Sequence, residues 1–419
     1  MGVKDTANLA LIPAAYKTSK VYSALPTDGD GDFTFTRTGS GTRINKAGLI
    51  ETVGSNVPRL NYRLDADGNP SSCPELLLEP ERTNIFTNSN SFASSNWFKS
   101  NLTVSANQTT SPTGENNASL ITATVDNGLL AEFNEWTSTQ RTASFFVKKN
   151  TSSVVEIVNA SSVSNFVRYD LENGAILSEG GTMTGKMQNY GNGWYRVIAT
   201  YSISSGTNTF GFRITNAGSV YIYGAQIEEA STVSSYIHTG SAVVTRNKDQ
   251  AYRQPFADLP NDYPITVAWK GTVDAINTSQ SIFSIYKNGS AVDYLTFKWA
   301  NAGFIQVERR RSTQDIDSTT YPVYIGDVKK VAIKFTSATT YKLYIDGIEI
   351  RNESSGTSLS WDFDSVIVGT VRIVSDTGFR NSADELFLWN KALTDAEMVE
   401  ITSYTSFTEM ATQQQYTIQ

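Results

Sequence analysis

The sequence predicts an all-β protein built from two antiparallel β-sandwiches, and three observations carry that expectation. From Thr142 onward apolar residues recur at every second position: Ala143, Phe145 and Val147; Tyr195, Val197, Ala199, Tyr201 and Ile203; Phe210, Phe212 and Ile214; Tyr221, Tyr223, Ala225 and Ile227. A period of two places such residues on one face of a strand, and the turn formers Asn173-Gly174 and Asn192-Gly193 separate the runs. Aromatic residues make up 11% of the chain and charged residues only 18%, with Ser, Thr, Asn and Gly crowding the gaps between short apolar runs. That mixture suits many-turned β proteins better than helical bundles. With 419 residues the chain exceeds one core and suits two or three domains.

Taken in order, residues 1–85 read as an extended N-terminal region. A short helix is expected around Asp5 to Tyr16, followed by the proline-punctuated VYSALPT, and nothing in residues 1–75 closes a core. Asp28, Asp30 and Asp32 have the alternate spacing that opens an EF-hand loop. Phe33 stands where the sharp-turn glycine belongs and Gly39 where the bidentate glutamate belongs, so the stretch is expected to be a solvated turn without metal. Asp65-Ala-Asp-Gly-Asn69 is read as a similar turn. The apolar triplet Leu76 to Leu78 stops at Glu79-Pro80, where proline removes a backbone donor, and a domain boundary is expected there.

The first sandwich is expected over residues 86–240 and a polar linker over 241–262, where Arg246, Lys248, Asp249, Arg253 and two prolines gather. The second sandwich is expected over 263–402. Ile265, Val267 and Trp269 alternate, as do Leu295, Phe297 and Trp299, and Val331, Ile333 and Phe335. YKLYIDGIEI, Tyr341 to Ile350, predicts a hairpin whose Asp346-Gly347 pair supplies the positive φ angles of a type I′ turn. Thr394 with Glu397 forms a capping-box pattern, so a short helix should start at Asp395 and turn Met398 and Ile401 inward. Residues 403–419 form a polar, Gln-rich tail.

Three blocks carry a resemblance: LLLEPERTNIFTNSNSF with the Trp97 that comes after it, YGNGWYRV at Tyr190 to Val197, and YIYGAQIEEASTVSSYIHTGSAVVTR at Tyr221 to Arg246. Together they resemble a module of bacteriophage head-spike and tail-fibre proteins, and Leu9 to Glu51 is similar to the segment that precedes it. His238 departs from the proline usual in that family. The resemblance implies that the first sandwich is a jelly roll of the carbohydrate-binding kind. The hairpin, Val366 to Thr370 and DELFLWNKALTDAEMVEI at Asp384 to Ile401 resemble the closing part of a laminin-G-like, concanavalin A-like domain. These resemblances imply a virion structural protein, a head or tail fibre, made in the host cytoplasm and displaying its sandwiches for host attachment. The implied partners are other virion proteins, met through the N-terminal region, and bacterial surface glycans. A homo-oligomer is expected, a trimer by analogy with other fibres. A dedicated receptor lectin and a glycan depolymerase are the alternatives.

Composition narrows the chemistry. A net charge of −7 gives no field for a phosphate backbone, so nucleic acid is not an expected partner. No apolar run reaches the length of a membrane span, and the N-terminus lacks a secretion signal, so no membrane insertion is expected. Met1-Gly2-Val3-Lys4-Asp5-Thr6 fits the loose myristoylation pattern, which arises often by chance. Cys73 is the only cysteine, excluding an intrachain disulfide, and His238 is the only histidine, so a Ser-His-Asp triad would have to use it. No acidic motif singles out a glycosidase pair, and no catalytic residue, metal or cofactor is expected. Arg309-Arg310-Arg311, with Asp315 and Asp317 beyond, is read as a charged exposed loop. Aromatic rings remain as ligand groups, because sugar C–H faces stack on them. Trp136, in the polar stretch Glu132 to Arg141, and Trp299, at the end of its alternating strand, are the candidate glycan-binding residues; Trp97 and Trp194 are expected to be structural.

Overall fold

The computed structural model describes residues 2–404 apart from 137–139, 163, 203–205, 257–262, 274–279, 291–292, 301–303, 311–313, 325, 355–362 and 370–380. The Gln-rich tail expected at 403–419 therefore falls outside the described residues beyond Tyr404. The fold is all-β, two antiparallel sandwiches, with a single-turn 3-10 helix at Val3–Thr6 and, among the described residues, one α-helix at Asp395–Thr402.

The central sandwich stacks two six-stranded sheets drawn from Phe98 to Glu228. Its long strand Gln140–Lys149 lies between Trp194–Ser202 and Gly218–Glu228, and the alternations read at Phe145 and Val197 share one inner face. In the third strand an irregularity opposite Ser144 to Phe146 breaks the alternation read there, so that Val220 and Ile222 join Ala225 and Ile227 inside while Tyr221 and Tyr223 turn to the outer face. Phe145, Val147, Val197, Ala199, Ile222 and Ile227 point into a core closed by Phe86, Phe92 and Trp97, each no more than 1% exposed. Burying one such side chain is worth roughly 1.5–3 kcal/mol, so this set dominates the stability of the region. Trp97 sits 5.1 Å from Phe86 and 5.3 Å from Phe92, and its indole N–H donates to the Asn88 carbonyl, which satisfies its one polar atom.

The C-terminal sandwich packs a six-stranded sheet on a nine-stranded one. Its hairpin forms as read: Tyr341–Ile345 pairs with Ile348–Glu353 around Asp346 (φ 49°) and Gly347 (φ 84°). The helix also starts as read. Thr394 Oγ1 accepts the Glu397 N–H, the Glu397 carboxylate accepts the Thr394 N–H, and Met398 and Ile401 are buried.

The N-terminal region departs from expectation. In place of a helix over Asp5 to Tyr16, Leu9–Leu11 runs as a strand along Glu385–Trp389, and Phe33–Thr36 pairs with Gln250–Arg253 inside the nine-stranded sheet. Glu75–Leu78 pairs with Asn381–Ala383. The apolar patches of residues 1–75, which close no core of their own, are covered by the chain's own C-terminal half: Leu9, Leu11, Val21, Phe33 and Phe35 are all 0% exposed. The hairpin Gly41–Ile44/Ile50–Val53 covers the outer face of the central sandwich, where Ile50 joins Phe146, Trp194, Tyr223 and Tyr236. Short strands of this kind carry too few alternations to announce which distant sheet completes them.

The expected linker likewise contains strands, Val244–Arg246 along Arg82–Asn84 and Gln250–Arg253 between Phe33–Thr36 and Ser365–Val368. Two of its charges, Arg246 and Asp249, are interior. Asp249 accepts from Arg37 at 3.0 Å, from Arg59 and from the Glu79 N–H, while Glu79 accepts from Arg59 at 2.7 Å and from the Ser235 hydroxyl at 2.6 Å, with Arg246 alongside. The charged side chains of this network are no more than 1% exposed, and they tie the N-terminal segment, the central sandwich and the linker together. Arg309 is also a correction: it belongs to the strand Phe304–Arg310 rather than to an exposed loop. It is fully buried over the Tyr341 ring and donates to the Ala338 carbonyl.

Candidate functional site

A cleft of about 1090 Å³ opens where three parts of the chain meet: residues 42–77, residues 173–196 with 235–236 of the central sandwich, and Gly326 and Val328 of the C-terminal sandwich. One rim is made by two tight turns that touch. The Asp65 carboxylate accepts the backbone N–H groups of Asp67 (3.0 Å) and Asn69 (2.8 Å), which closes the first turn around Gly68. The Asn189 side-chain oxygen accepts the Gly191 N–H at 2.9 Å and its amide donates to the Ala66 carbonyl at 3.3 Å, which closes the second turn and ties it to the first. Gly68 and Gly191 both have positive φ, and a Cβ on Gly68 would collide with the Gly191 backbone. Glycine is therefore required twice over at the contact.

The walls combine rings with planar polar groups. Tyr190 is braced edge-on by Phe146, ring centres 4.8 Å apart, and Tyr195 lies just beyond the same turn; both rings are partly exposed to the cleft. Arg63 holds the Glu75 carboxylate through Nε at 3.1 Å and Nη2 at 3.0 Å, and Asn61 donates to the same group at 2.9 Å. Arg43 is paired with Glu51 at 2.8 Å and with the Tyr16 hydroxyl at 3.0 Å, which raises its affinity for its proton despite partial burial. Arg196 is buried beneath Phe146, its guanidinium 5.0 Å from the ring centre, and donates to Ser144 and to the Ser234 carbonyl. Aromatic faces beside amide, guanidinium and carboxylate planes are the groups that hold a saccharide: C–H faces stack, and vicinal hydroxyls take paired hydrogen bonds.

The tryptophans chosen from the sequence are placed elsewhere. Trp299 is 2% exposed, packed 5.7 Å from Phe297 and 6.3 Å from Trp269. The alternation that marks its strand puts it on the inner face with Leu295 and Phe297, so it is a core residue and not a sugar platform. Trp136 is the last residue of the strand Gly128–Trp136, opposite Gly206, rather than in a loop; its side chain lies outside the described residues. Trp97 and Trp194 are buried.

His238 does meet a serine, with Nδ1 3.4 Å from Ser89 Oγ, but the pair is not built for nucleophilic attack. Ser89 is fully buried and its hydroxyl is engaged by Tyr236 at 2.7 Å and by the Thr239 N–H at 2.9 Å. The Asn90 amide faces the same Nδ1 at 3.1 Å, where a triad would place a carboxylate, and burial lowers the histidine's pKa. The Asp28 loop is occupied by local bonds: Asp28 accepts the Asp30 N–H at 3.0 Å, while Asp32 accepts the Ser23 N–H at 2.9 Å and pairs with Lys20 at 3.1 Å.

Residues 246–398 match the family model Laminin_G_3, described as the concanavalin A-like lectin/glucanases superfamily. The C-terminal sandwich is laminin-G-like. Its matched part begins inside the expected linker, consistent with the strand Gln250–Arg253 belonging to the sheet. Among solved structures, the carbohydrate-binding module CBM40 of a Ruminococcus gnavus IT-sialidase is 20% identical, over 34% of this chain and 85% of that one, with a TM-score of 0.30. The NanB sialidase from Streptococcus pneumoniae is 26% identical over 34% of this chain and 24% of its own, TM-score 0.30. A SAP-like pentraxin from Limulus polyphemus is 17% identical over 36% and 74%, TM-score 0.29. No curated protein matches the sequence.

Proposed function

We propose that the protein is a non-catalytic glycan-binding component of a bacteriophage particle, a head or tail fibre that presents two β-sandwiches to the host surface. The observation that carries the glycan half is the cleft, where Tyr190 and Tyr195 stand beside a wall of planar polar groups. The laminin-G-like match at residues 246–398 supports it. The phage half rests on the resemblance of the blocks at Leu76 to Trp97, Tyr190 to Val197 and Tyr221 to Arg246. On the same resemblance rest a homo-oligomeric, trimeric state, attachment to other virion proteins through the N-terminal region, and a location on the particle. A dedicated receptor lectin uses the same cleft and differs only in where it is displayed.

A depolymerase draws on one observation. The Asp384 carboxyl is pushed up to about 6 by burial and by the neighbouring Glu75 carboxylate, in the way a general acid is tuned. Glu75, however, has only 6% of its side chain exposed and is held by Arg63 and Asn61, so it offers no second carboxylate to a glycosidic bond. Co-sedimentation of the full chain with host cells, wild type against Tyr195→Ala, tests binding. Loss of polysaccharide viscosity on incubation would reverse the non-catalytic reading, and immunogold labelling of particles tests location.

A further inference from the structure

We infer that the cleft selects uncharged saccharides and rejects those that carry a carboxylate. The inference rests on the glycan-binding reading and specifies its ligand. An anionic sugar is usually met by an arginine whose fork remains available to the ligand. The cations of this cleft are already committed. Arg43 is spent on Glu51 and Tyr16, and Arg63 on both oxygens of Glu75. Arg196 is 2% exposed and held by Ser144 and Ser234 beneath Phe146. The acids of the rim are not balanced in this way. Asp65 is bound only by amides of its own turn, and exposed Asp67 has no cationic partner among the described residues. Setting Glu51, just outside the cleft, against Arg43 and Glu75 against Arg63 leaves only the buried guanidinium of Arg196 to offset the exposed carboxylates of Asp65 and Asp67, so a carboxylate entering the cleft meets net negative charge. Like charges brought together at an interface are costly, and that cost excludes wrong partners.

A neutral sugar meets the opposite situation. The Gln188 amide and the hydroxyls of Tyr190 and Tyr195 line the cleft with no protein partner among the described residues, and each can both donate and accept, as sugar hydroxyls do. The Asp67 carboxylate adds two acceptor oxygens suited to a pair of hydroxyl donors.

The experiment uses the full chain against immobilised pairs of oligosaccharides that differ by one carboxylate: lactose-terminated against sialylated lactose, and glucose-terminated against glucuronate-terminated chains. The neutral member of at least one pair should bind about tenfold more tightly than its acidic counterpart at low ionic strength. The difference should shrink at high salt. Asp67→Asn should narrow it further by raising acidic binding, and Tyr195→Ala and Gln188→Ala should each weaken neutral binding. Preference for the acidic member of both pairs would overturn the inference and leave the glycan reading standing, as would equal affinity for both members. Binding that none of the three variants alters would remove the cleft as the site. Binding to no member, by a chain whose circular dichroism is native, would overturn the glycan reading itself.

Discussion

Residues 98–228 supply the strands of the central sandwich, whereas the C-terminal sandwich takes strands from Leu9–Thr36 at one end of the chain and from Gln250–Trp389 at the other. In the first, each long strand finds partners within the same stretch. In the second, Leu9 faces Leu388 and Phe35 faces Ala251. The outer faces differ as well. The six-stranded C-terminal sheet buries Ala10, Ala268 and Ala332 under the helix residues Met398 and Ile401, a cover encoded within the same domain. The central sandwich borrows its cover, Ile44 and Ile50, from the N-terminal hairpin on one face. On the opposite sheet, Phe98 and Phe133 stand exposed, edge to face at 5.5 Å. One sandwich is therefore continuous in sequence with a borrowed cover, and the other is discontinuous with its own.

The largest expected effect comes from that contrast. Deleting residues 1–40 removes Leu9, Leu11, Val21, Phe33 and Phe35, all fully buried. At roughly 1.5–3 kcal/mol each the loss is on the order of 10 kcal/mol, comparable to the whole stability of a domain. The C-terminal sandwich should fail to fold, while the central sandwich keeps slow amide exchange. Hydrogen exchange with mass spectrometry reads both at once. Retained protection over residues 265–345 in the deletion would show that the C-terminal sandwich closes without its N-terminal strands.

A smaller loss, shared by both sandwiches, is expected from Asp249→Ala. The substitution strands the buried guanidiniums of Arg37 and Arg59, and breaking a buried pair from one side costs about 3–5 kcal/mol. Because Ser235 of the central sandwich hangs on the same network through Glu79, protection should fall in both sandwiches. A loss confined to one would show that the network belongs to that sandwich alone.

Legibility in the sequence divides along the same line. The alternations at Phe145, Val197 and Phe212 and at Val267 and Ile333 locate sheets in both halves, because burial on one face imposes a period of two whatever the strand's partners. The Asp346-Gly347 turn and the Thr394 cap are readable because each is settled by residues within a few positions. The strand Leu9–Leu11 is not, since an apolar triplet is too short to show a period and its partner lies at the far end of the chain. Asp249 and Arg246 look like linker charges, and only the fold reveals that they meet Arg59 and Glu79 in the interior. Trp299 is readable as core, since it continues the apolar alternation of Leu295 and Phe297 that marks the covered face; its place at a strand end is what makes it look available to a ligand. The cleft has two local signals, the turn at Asp65 to Asn69 and the block Tyr190 to Val197. That Gly68 and Gly191 press against each other is a property of the assembled chain.

The junction between the N-terminal segment and the C-terminal sandwich also carries a pH signature. Asp384, 3.7 Å from Lys270, has its carboxyl raised to about 6 by burial and by Glu75. A carboxyl raised above its unfolded value holds its proton more tightly in the native state. Its contribution is therefore most favourable below the unfolded value and is lost as pH rises through about 6. Asp384→Asn should remove this cost, raising stability above pH 6.5 by roughly 1–2 kcal/mol after the lost Lys270 contact is set against it. The stability profile between pH 4 and 6.5 should flatten correspondingly. An unchanged slope in urea titrations across that range would place the titration elsewhere.

The smallest effect sharpens the comparison most, because it should touch one sandwich only. Thr394→Ala removes the side-chain oxygen that accepts the Glu397 N–H at 3.2 Å, and with it half of the capping box. Loss of an N-cap costs about 1 kcal/mol, which lowers a midpoint by roughly 2–4 °C in a domain of this size. The helix packs on the six-stranded C-terminal sheet and on the N-terminal turn Val3–Thr6, through Met398 and Ile401 beside Val3 and Ala7. Faster exchange should therefore appear at residues 395–402 and along the strand Val328–Phe335 beneath them, with the central sandwich unchanged. Thr394→Ser, which keeps the acceptor, should restore most of the loss. If the central sandwich loosened by the same amount as the helix, the two sandwiches would open as one cooperative unit, and the buried Arg59–Asp249–Glu79 network would be the feature that joins them.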